Sequence, residues 1–446
     1  MVEFYNRCYF DRIRKVVYPL HTTYTNRKRK STTWAVLLLS GMLLLNMNTT
    51  AGYAAASTES LPKPSWTSSS LMLNEANTEK DVMIKNIYAV PSKNLVYVHT
   101  SQPVTKTSSK TTLDWQLDSL QALDAKTGQL KWSTIFHEKS GPYTTYSNSV
   151  YASNGTAYVY MEYSDISKKL YSFNTSGKTN WVKNVNSSAT ISLMDNDNLL
   201  VAASQGVQAN GSVRSTLSLY DKKGKLLNEK TIAGTVLKAA QGRIVVDASK
   251  QVKSGNFWQP AANPKIEIYD TSLNRLSFYQ FPADANTQGD GGGEALAILD
   301  DGSVLMRANF ETTGNRLMGF GSDGKLAWGR AIAGDAYIQT AGNGYTLLTG
   351  SKLELYTMKG KVTERMFKDA QPVLMHVDRT QDGQYQLDFA KTGYILDPQT
   401  LEDVHVYTVS TAVPSLESIS TYMNDVIYSM KGEVLSKYTL KSSSAK

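Results

Sequence analysis

The chain has 446 residues, 41% of them hydrophobic and 19% charged, with a net charge of +8 and one cysteine. Of its 47 basic and 39 acidic residues, eight and two lie in residues 1–56, leaving 39 and 37 beyond them. That balance argues against a nucleic-acid-binding surface. Because the one cysteine is Cys8, the rest of the chain can form no internal disulfide, thiolate metal site, cysteine nucleophile or lipidated cysteine.

Residues 1–56 read as a secretory signal peptide. The cluster Arg27-Lys28-Arg29-Lys30 precedes the apolar run WAVLLLSGMLLL (34–45), and GYAAAS follows, with small residues at Ala54 and Ala56. A basic start, a short apolar run and an A-x-A exit are the parts such a signal needs. The apolar run is short for a bilayer core of about 30 Å. Cleavage near Ala56 is therefore expected, with the membrane met only transiently and the mature chain secreted or extracytoplasmic. Residues 57–80 open with STESLPKPSWTSSS, the composition of an extended Ser/Pro/Thr-rich tether.

From residue 81 the sequence turns to strands, and one hairpin recurs. LQALDAKTGQLKW turns at Gly128, LYSFNTSGKTNW at Gly177, LSLYDKKGKLLN at Gly224 and IEIYDTSLNRLSF at Asn274. LMGFGSDGKLAW turns at Gly324 and LELYTMKGKVTE at Gly360; GYILDPQTLEDV is a weaker copy and VLSKYTLKSS a truncated one. In the first copy Asp124 accepts local backbone hydrogen bonds and Gly128 supplies the positive φ that reverses the chain. Trp132, Trp181 and Trp328 follow four residues after their turn glycines, placed to cover a neighbouring sheet. Upstream of each hairpin lies a strand pattern such as NLVYVHT (94–100) or GTAYVYMEY (155–163), usually with a shorter one before it. Four strands recurring with so little helix pattern make an all-β fold, a β-propeller. Eight blades of four antiparallel strands are expected, with seven as the alternative, over residues 81–446. The last copy lacks its outermost strand. The segment at about 70–80 is expected to supply it and close the ring.

ALDAKTGQLKW resembles the repeat of the pyrroloquinoline-quinone (PQQ) dehydrogenase-like propellers, whose blades carry an A-L-D-A-x-T-G-x-x-x-W signature. The resemblance is strong at 119–132, fair at 169–181 and 316–328, and faint elsewhere. It implies the propeller fold. That superfamily also includes the non-enzymatic propeller subunit of the outer-membrane protein assembly machinery. Its enzymes have a vicinal disulfide packed on the cofactor and a Glu/Asn/Asp calcium site. The absence of cysteine after Cys8 therefore points to the non-enzymatic side, with no cofactor.

In a four-stranded blade the loops joining strands two and three share a face with the blade-to-blade connections. The long insertions 101–118, 205–215 and 250–264, with the connector 282–293, are expected to crowd that face, where function would be built. Trp115, Phe257 and Trp258 stand in these insertions where no strand pattern explains them, and exposed rings suit a protein- or carbohydrate-binding surface. Asp290 lies in GDGGGE (289–294), which lacks the lysine of a phosphate loop. DNDN (195–198) and DDG (300–302) lack the closing Glu of a calcium loop. His99, His137, His376 and His405 show no metal-ligand spacing. The expected function is an exported, non-enzymatic binding or scaffold protein presenting loops to an envelope or extracellular protein or glycan. The alternative is a PQQ- and calcium-dependent dehydrogenase of alcohols or sugars.

Overall fold

The computed structural model describes residues 59–73, 82–108, 111–136, 144–194, 197–255, 257–261, 263–287, 296–367, 374–389, 392–408 and 420–440. Strand pairing among them gives mostly four-stranded antiparallel sheets, as in a β-propeller, numbered below as units in chain order. Unit 1 is Met83–Val90, Leu95–Ser108, Thr111–Asp124 and Leu130–Ile135, and unit 2 is Thr144–Tyr151, Ala157–Tyr163, Lys168–Phe173 and Thr179–Asn184. These two form one continuous sheet, because Gln116 pairs with Thr144. Units 3 to 7 begin at Ala189, Thr235, Ala285, Tyr337 and Leu374 respectively. Unit 8 is Ser420–Met423, Val426–Lys431 and Val434–Thr439, completed by Trp66–Thr67. The innermost strand of unit 1 lies against that of unit 8.

Burial falls from the inside outward. In the second strand of unit 2 every residue but Glu162 is buried, because sheets pack on both of its faces, and the sequence AYVYMEY is accordingly apolar at successive positions. The outermost strand of unit 2, TNWVKN, alternates exposed and half-buried residues. The apolar clusters sit between neighbouring units. One joins Tyr97, Leu120 and Phe136 of unit 1 to Tyr151, Val159 and Phe173 of unit 2.

The recurring turn has a physical explanation at each position. Asp124 Oδ1 accepts from the amides of Lys126 and Thr127 at 2.9 and 3.0 Å, and Lys131 Nζ stands 3.1 Å from Oδ2. Desolvation alone would raise the Asp124 carboxyl, but Lys131 and the two amides outweigh it and hold it at about 2. Gly128 and Gly177 have φ of +73° and +81°, and a Cβ at either would stand 2.4 and 2.6 Å from the indoles of Trp66 and Trp132. Glycine is required twice over, for the left-handed backbone and for the ring laid on it.

The tryptophans therefore do more than cover a sheet edge, because each reaches the turn of the next unit. Trp66 Nε1 donates to Ala125 O at 3.1 Å, Trp132 Nε1 to Thr175 O at 3.0 Å and Trp328 Nε1 to Met358 O at 3.0 Å. Where the outermost strand carries no tryptophan, other side chains make the same reach: Asn228 to Ser272 O, Ser277 to Gly324 O and Arg365 to Leu401 O.

The ring-closing strand lies earlier than the 70–80 expected. Trp66 and Thr67 pair with Lys437 and Ser436, and the amides of Ser65, Ser68 and Leu71 donate to Lys437, Leu435 and Glu433. Glu59–Ser60 adds in parallel to Asp403–Thr408 of unit 7. Further along, Leu71 O accepts from Gln121 and Leu73 N donates to Gln102 of unit 1. Residues 59–73 are thus strapped across units 7, 8 and 1 and do not hang as a tether. Ser/Pro/Thr composition hides this, because the strap is held by backbone groups, by its own hydroxyls on Thr439, Ser436 and Glu433, and by Trp66 and Leu71 in an apolar cluster.

Candidate functional site

Strand order gives the ring two unlike faces. On one, the turns between first and second strands interlock through polar groups. Ser153 Oγ donates to Asp197 Oδ2 at 2.7 Å, Gln241 Nε2 to Asp300 Oδ1 at 2.8 Å, and Arg379 Nη1 pairs with Asp300 at 3.1 Å. The recurring D-x-x-x-G hairpins open on this face too. The opposite face receives the insertions.

Exposed large apolar side chains divide along these lines. Among the described residues, Leu130, Val182, Leu226, Leu227, Leu276, Phe278, Leu326, Val362 and Met366 lie on outermost strands, around the perimeter. The rest are Met83, Tyr146, Leu237, Tyr337, Ile166, Val252, Phe257 and Trp258. The first four fall within the first three residues of innermost strands, at the insertion-face end, and the others stand on insertion-face turns and hairpins. Leu130, Leu226, Leu276, Leu326 and Val362 fall within the first three residues of their outermost strands, at the interlocked-face end of the perimeter. Away from the perimeter, the described residues place no exposed large apolar side chain on the interlocked face.

Phe257 and Trp258 belong to a β-hairpin of their own, Gln251–Ser254 paired with Phe257–Pro260, where a loop was expected. Phe257 is 75% exposed and Trp258 37%. The hairpin is braced by the neighbouring insertion, for Gln251 N donates to Gly211 O at 2.7 Å and Ser212 bridges Lys250. A Cβ at Gly211 would stand 2.1 Å from Gln251 O, so glycine permits the approach. Trp115 also lies on a strand and not on a loop: Thr111–Asp124 extends the ribbon of unit 1, and Trp115 pairs with Val104. Residues beyond the end of the inner strand (Met83 pairs Ser101) project as a two-stranded arm. Asp290 lies outside the described residues, as does His137.

Sequence spacing did not reveal a buried polar seam between units 1 and 2. His99 is fully buried, its Nδ1 3.0 Å from Ser149 Oγ and its Nε2 3.3 Å from Ser147 Oγ. Lys85 Nζ donates to Ser147 Oγ at 2.8 Å and stands 3.5 Å from Asp118 Oδ2, with Asp118 fully buried. The signal was the polarity of strand residues 85, 99, 118, 147 and 149, which meet only once the strands are paired, with Lys85 at a register shift between Ile84 and Asn86. Ser147 Oγ thus sits between Lys85 Nζ and His99 Nε2, with Asp118 as the other partner of the lysine nitrogen.

Burial pushes the His99 imidazole down to about 4, with the Lys85 charge adding to this and the Asp118 charge opposing it. The unfolded chain, with His near 6.5, binds the proton first, so this contribution to stability is complete above pH 6.5 and is lost as pH falls toward 4. Up to about 3 kcal/mol of unfolding free energy should disappear across that window, read by urea unfolding at successive pH values. His99→Gln should flatten that slope. An unchanged slope would assign the pH dependence to other groups.

Among the described residues no group of three or more His, Cys, Asp or Glu could hold a metal ion. No helix there is long and apolar enough to cross a membrane.

No family model matches the chain, and no curated protein matches it. Among solved structures it is similar to BamB from Moraxella catarrhalis, at 13% identity and a TM-score of 0.40, covering 76% of this chain and 94% of that one. BBS1N in complex with ARL6DN is 12% identical, with a TM-score of 0.34 and coverage of 68% and 97%. A protein of unknown function from Bacteroides caccae is 11% identical, with a TM-score of 0.30 and coverage of 67% and 93%.

Proposed function

We propose that this chain is an exported, non-enzymatic propeller scaffold that docks an envelope or extracellular protein on its insertion face. The observation that carries the reading is the division of exposed apolar side chains. Among the described residues, those away from the perimeter stand on one face, and the braced hairpin holds Phe257 and Trp258 at its front. Rigidly held aromatics are what a docking surface uses as anchors, and exposed apolar groups gathered on one face mark interaction sites.

A photoreactive residue at position 257 is expected to form a discrete protein adduct in cells that make the protein, and one at position 223, in a hairpin turn on the interlocked face, to form none. Equal labelling at both positions, or none at either, would sink the proposal. Export is tested separately, by N-terminal sequencing of the mature chain, with Ser57 as the expected first residue.

The dehydrogenase reading fits the residues poorly. Calcium takes six to eight oxygen ligands, no metal-holding group stands among the described residues, and no cysteine follows Cys8 to supply the vicinal disulfide. Adding PQQ and calcium should leave the melting temperature unchanged. A ligand at a hundred times its Kd would add about 2.7 kcal/mol, a rise that melting detects.

A further inference from the structure

A cleft of about 250 Å³ opens between units 1 and 2, lined by Thr134, Ile135 and Phe136 on one side and by residues from Tyr163 to Thr179 on the other. Its aromatic members are packed together: Phe136 lies 5.3 Å from Tyr171 and 5.9 Å from Phe173 between ring centroids. The Tyr163 and Tyr171 hydroxyls meet at 2.8 Å. One donates to the other, which leaves the second phenol proton free for a further acceptor. Asp165, Ser167 and Lys169 line the same cleft, and Lys169 Nζ stands 5.9 Å from the centre of the Tyr163 ring.

The lip of this cleft is strained. Ile166, between the lining residues Asp165 and Ser167, has φ of +65°, a left-handed backbone that a β-branched residue strongly disfavours. Leu273 and Leu401 share that conformation, with φ of +63° and +62°. Each is 1–2% exposed inside an apolar cluster, where burial offsets the strain. Ile166 is 83% exposed, so no apolar burial offsets its strain, and the turn is held by hydrogen bonds from Ile166 N to Tyr163 O and from Lys168 Nζ to Ile166 O, both at 2.9 Å. A strained backbone kept at a cleft is a pointer to function. The tip of this turn is also where glycine or asparagine would serve the fold better.

We propose that the cleft binds a single sugar ring of a glycan, its apolar face against Tyr171 and its hydroxyls on Asp165, Lys169 and the tyrosine pair, with the turn at Ile166 holding Asp165 in place. Aromatic and aliphatic surface beside a few converging polar groups is the chemistry of a small-ligand site, and a cleft this size suits one ring. A pyranose presents the matching surfaces, C–H on one side and hydroxyls at the rim. This site needs no protein partner and is separate from the hairpin at Phe257, so its failure leaves the adduct experiment untouched.

Saturation-transfer NMR on the full chain with chitobiose, cellobiose, lactose and mannobiose tests it. At least one is expected to receive transfer, concentrated on the C–H protons of one ring. Affinity should fall about tenfold in Asp165→Asn and in Tyr171→Ala, and less in Tyr171→Phe, which keeps the ring. Ile166→Gly guards against misfolding, since it relieves the left-handed strain. It should weaken binding while the melting temperature holds or rises. Transfer to none of the four, or affinity unchanged in Asp165→Asn, Tyr171→Ala and Ile166→Gly, would overturn the proposal. So would a short peptide displacing the bound sugar while showing the same dependence on these residues at higher affinity.

Discussion

Replacing Trp66 by alanine is expected to cost about 3–5 kcal/mol of unfolding free energy, the range for removing a large buried aromatic. Trp66 is 9% exposed, lies 6.0 Å from Tyr428, rests on Gly128 and donates to Ala125 O. It also has a role that the other tryptophans lack. Trp132 and Trp328 join units that are adjacent in sequence, whereas Trp66 joins unit 8 to unit 1 from a strand at the other end of the chain. That strand has only two ladder residues, Trp66 and Thr67. Although Ser65, Ser68 and Leu71 add backbone bonds to unit 8, the bond from the indole to Ala125 O, an acceptor shared with Lys437 Nζ, is what reaches unit 1 from this strand. Urea unfolding should show the loss. Limited proteolysis should show cleavage in residues 59–73 appearing in Trp66→Ala and not in Trp328→Ala. A cost below about 1 kcal/mol, the scale of an ordinary surface change, or identical proteolysis of the two variants, would mean that the backbone pairing closes the ring unaided.

The same residue marks where sequence reading stops. The hairpin copies were legible because their information is local: an acid that caps the turn, a glycine with positive φ, and strand alternation on either side. Partnerships between units are not local. Nothing at Trp66, in a Ser/Pro/Thr-rich stretch, distinguishes a strap from a linker until Lys437 is seen beside it. Phe257 and Trp258 were legible as odd residues in an insertion, because aromatics without a strand pattern stand out. Their hairpin was not, since it depends on Gly211 in a different insertion. Ile166 and the Lys85–His99–Asp118 seam were missed for opposite reasons. The first is an ordinary residue in an extraordinary backbone conformation. The second consists of ordinary strand polars that acquire meaning only when strands of two units are brought side by side.

That seam gives the second large effect. Asp118 is fully buried, Lys85 is its ion-pair partner, and Asp118 Oδ1 meets no further hydrogen-bond partner among the described residues. Lys85→Met should therefore cost about 3–5 kcal/mol, because removing one partner strands a buried charge. Lys85→Met with Asp118→Asn should recover most of this, since the charge is then gone from both sides. Denaturant unfolding of the two single variants and the double variant measures the coupling. The outcome also bears on chemistry. If Lys85 instead stood neutral as a base for Ser147, Lys85→Met would leave no stranded charge, the coupling to Asp118 would be small, and Ser147 would react with serine-directed acylating reagents. A large coupling with an inert Ser147 assigns the charge to holding units 1 and 2 together, the units that frame the sugar cleft. A rigid seam there is what a preformed binding cleft requires.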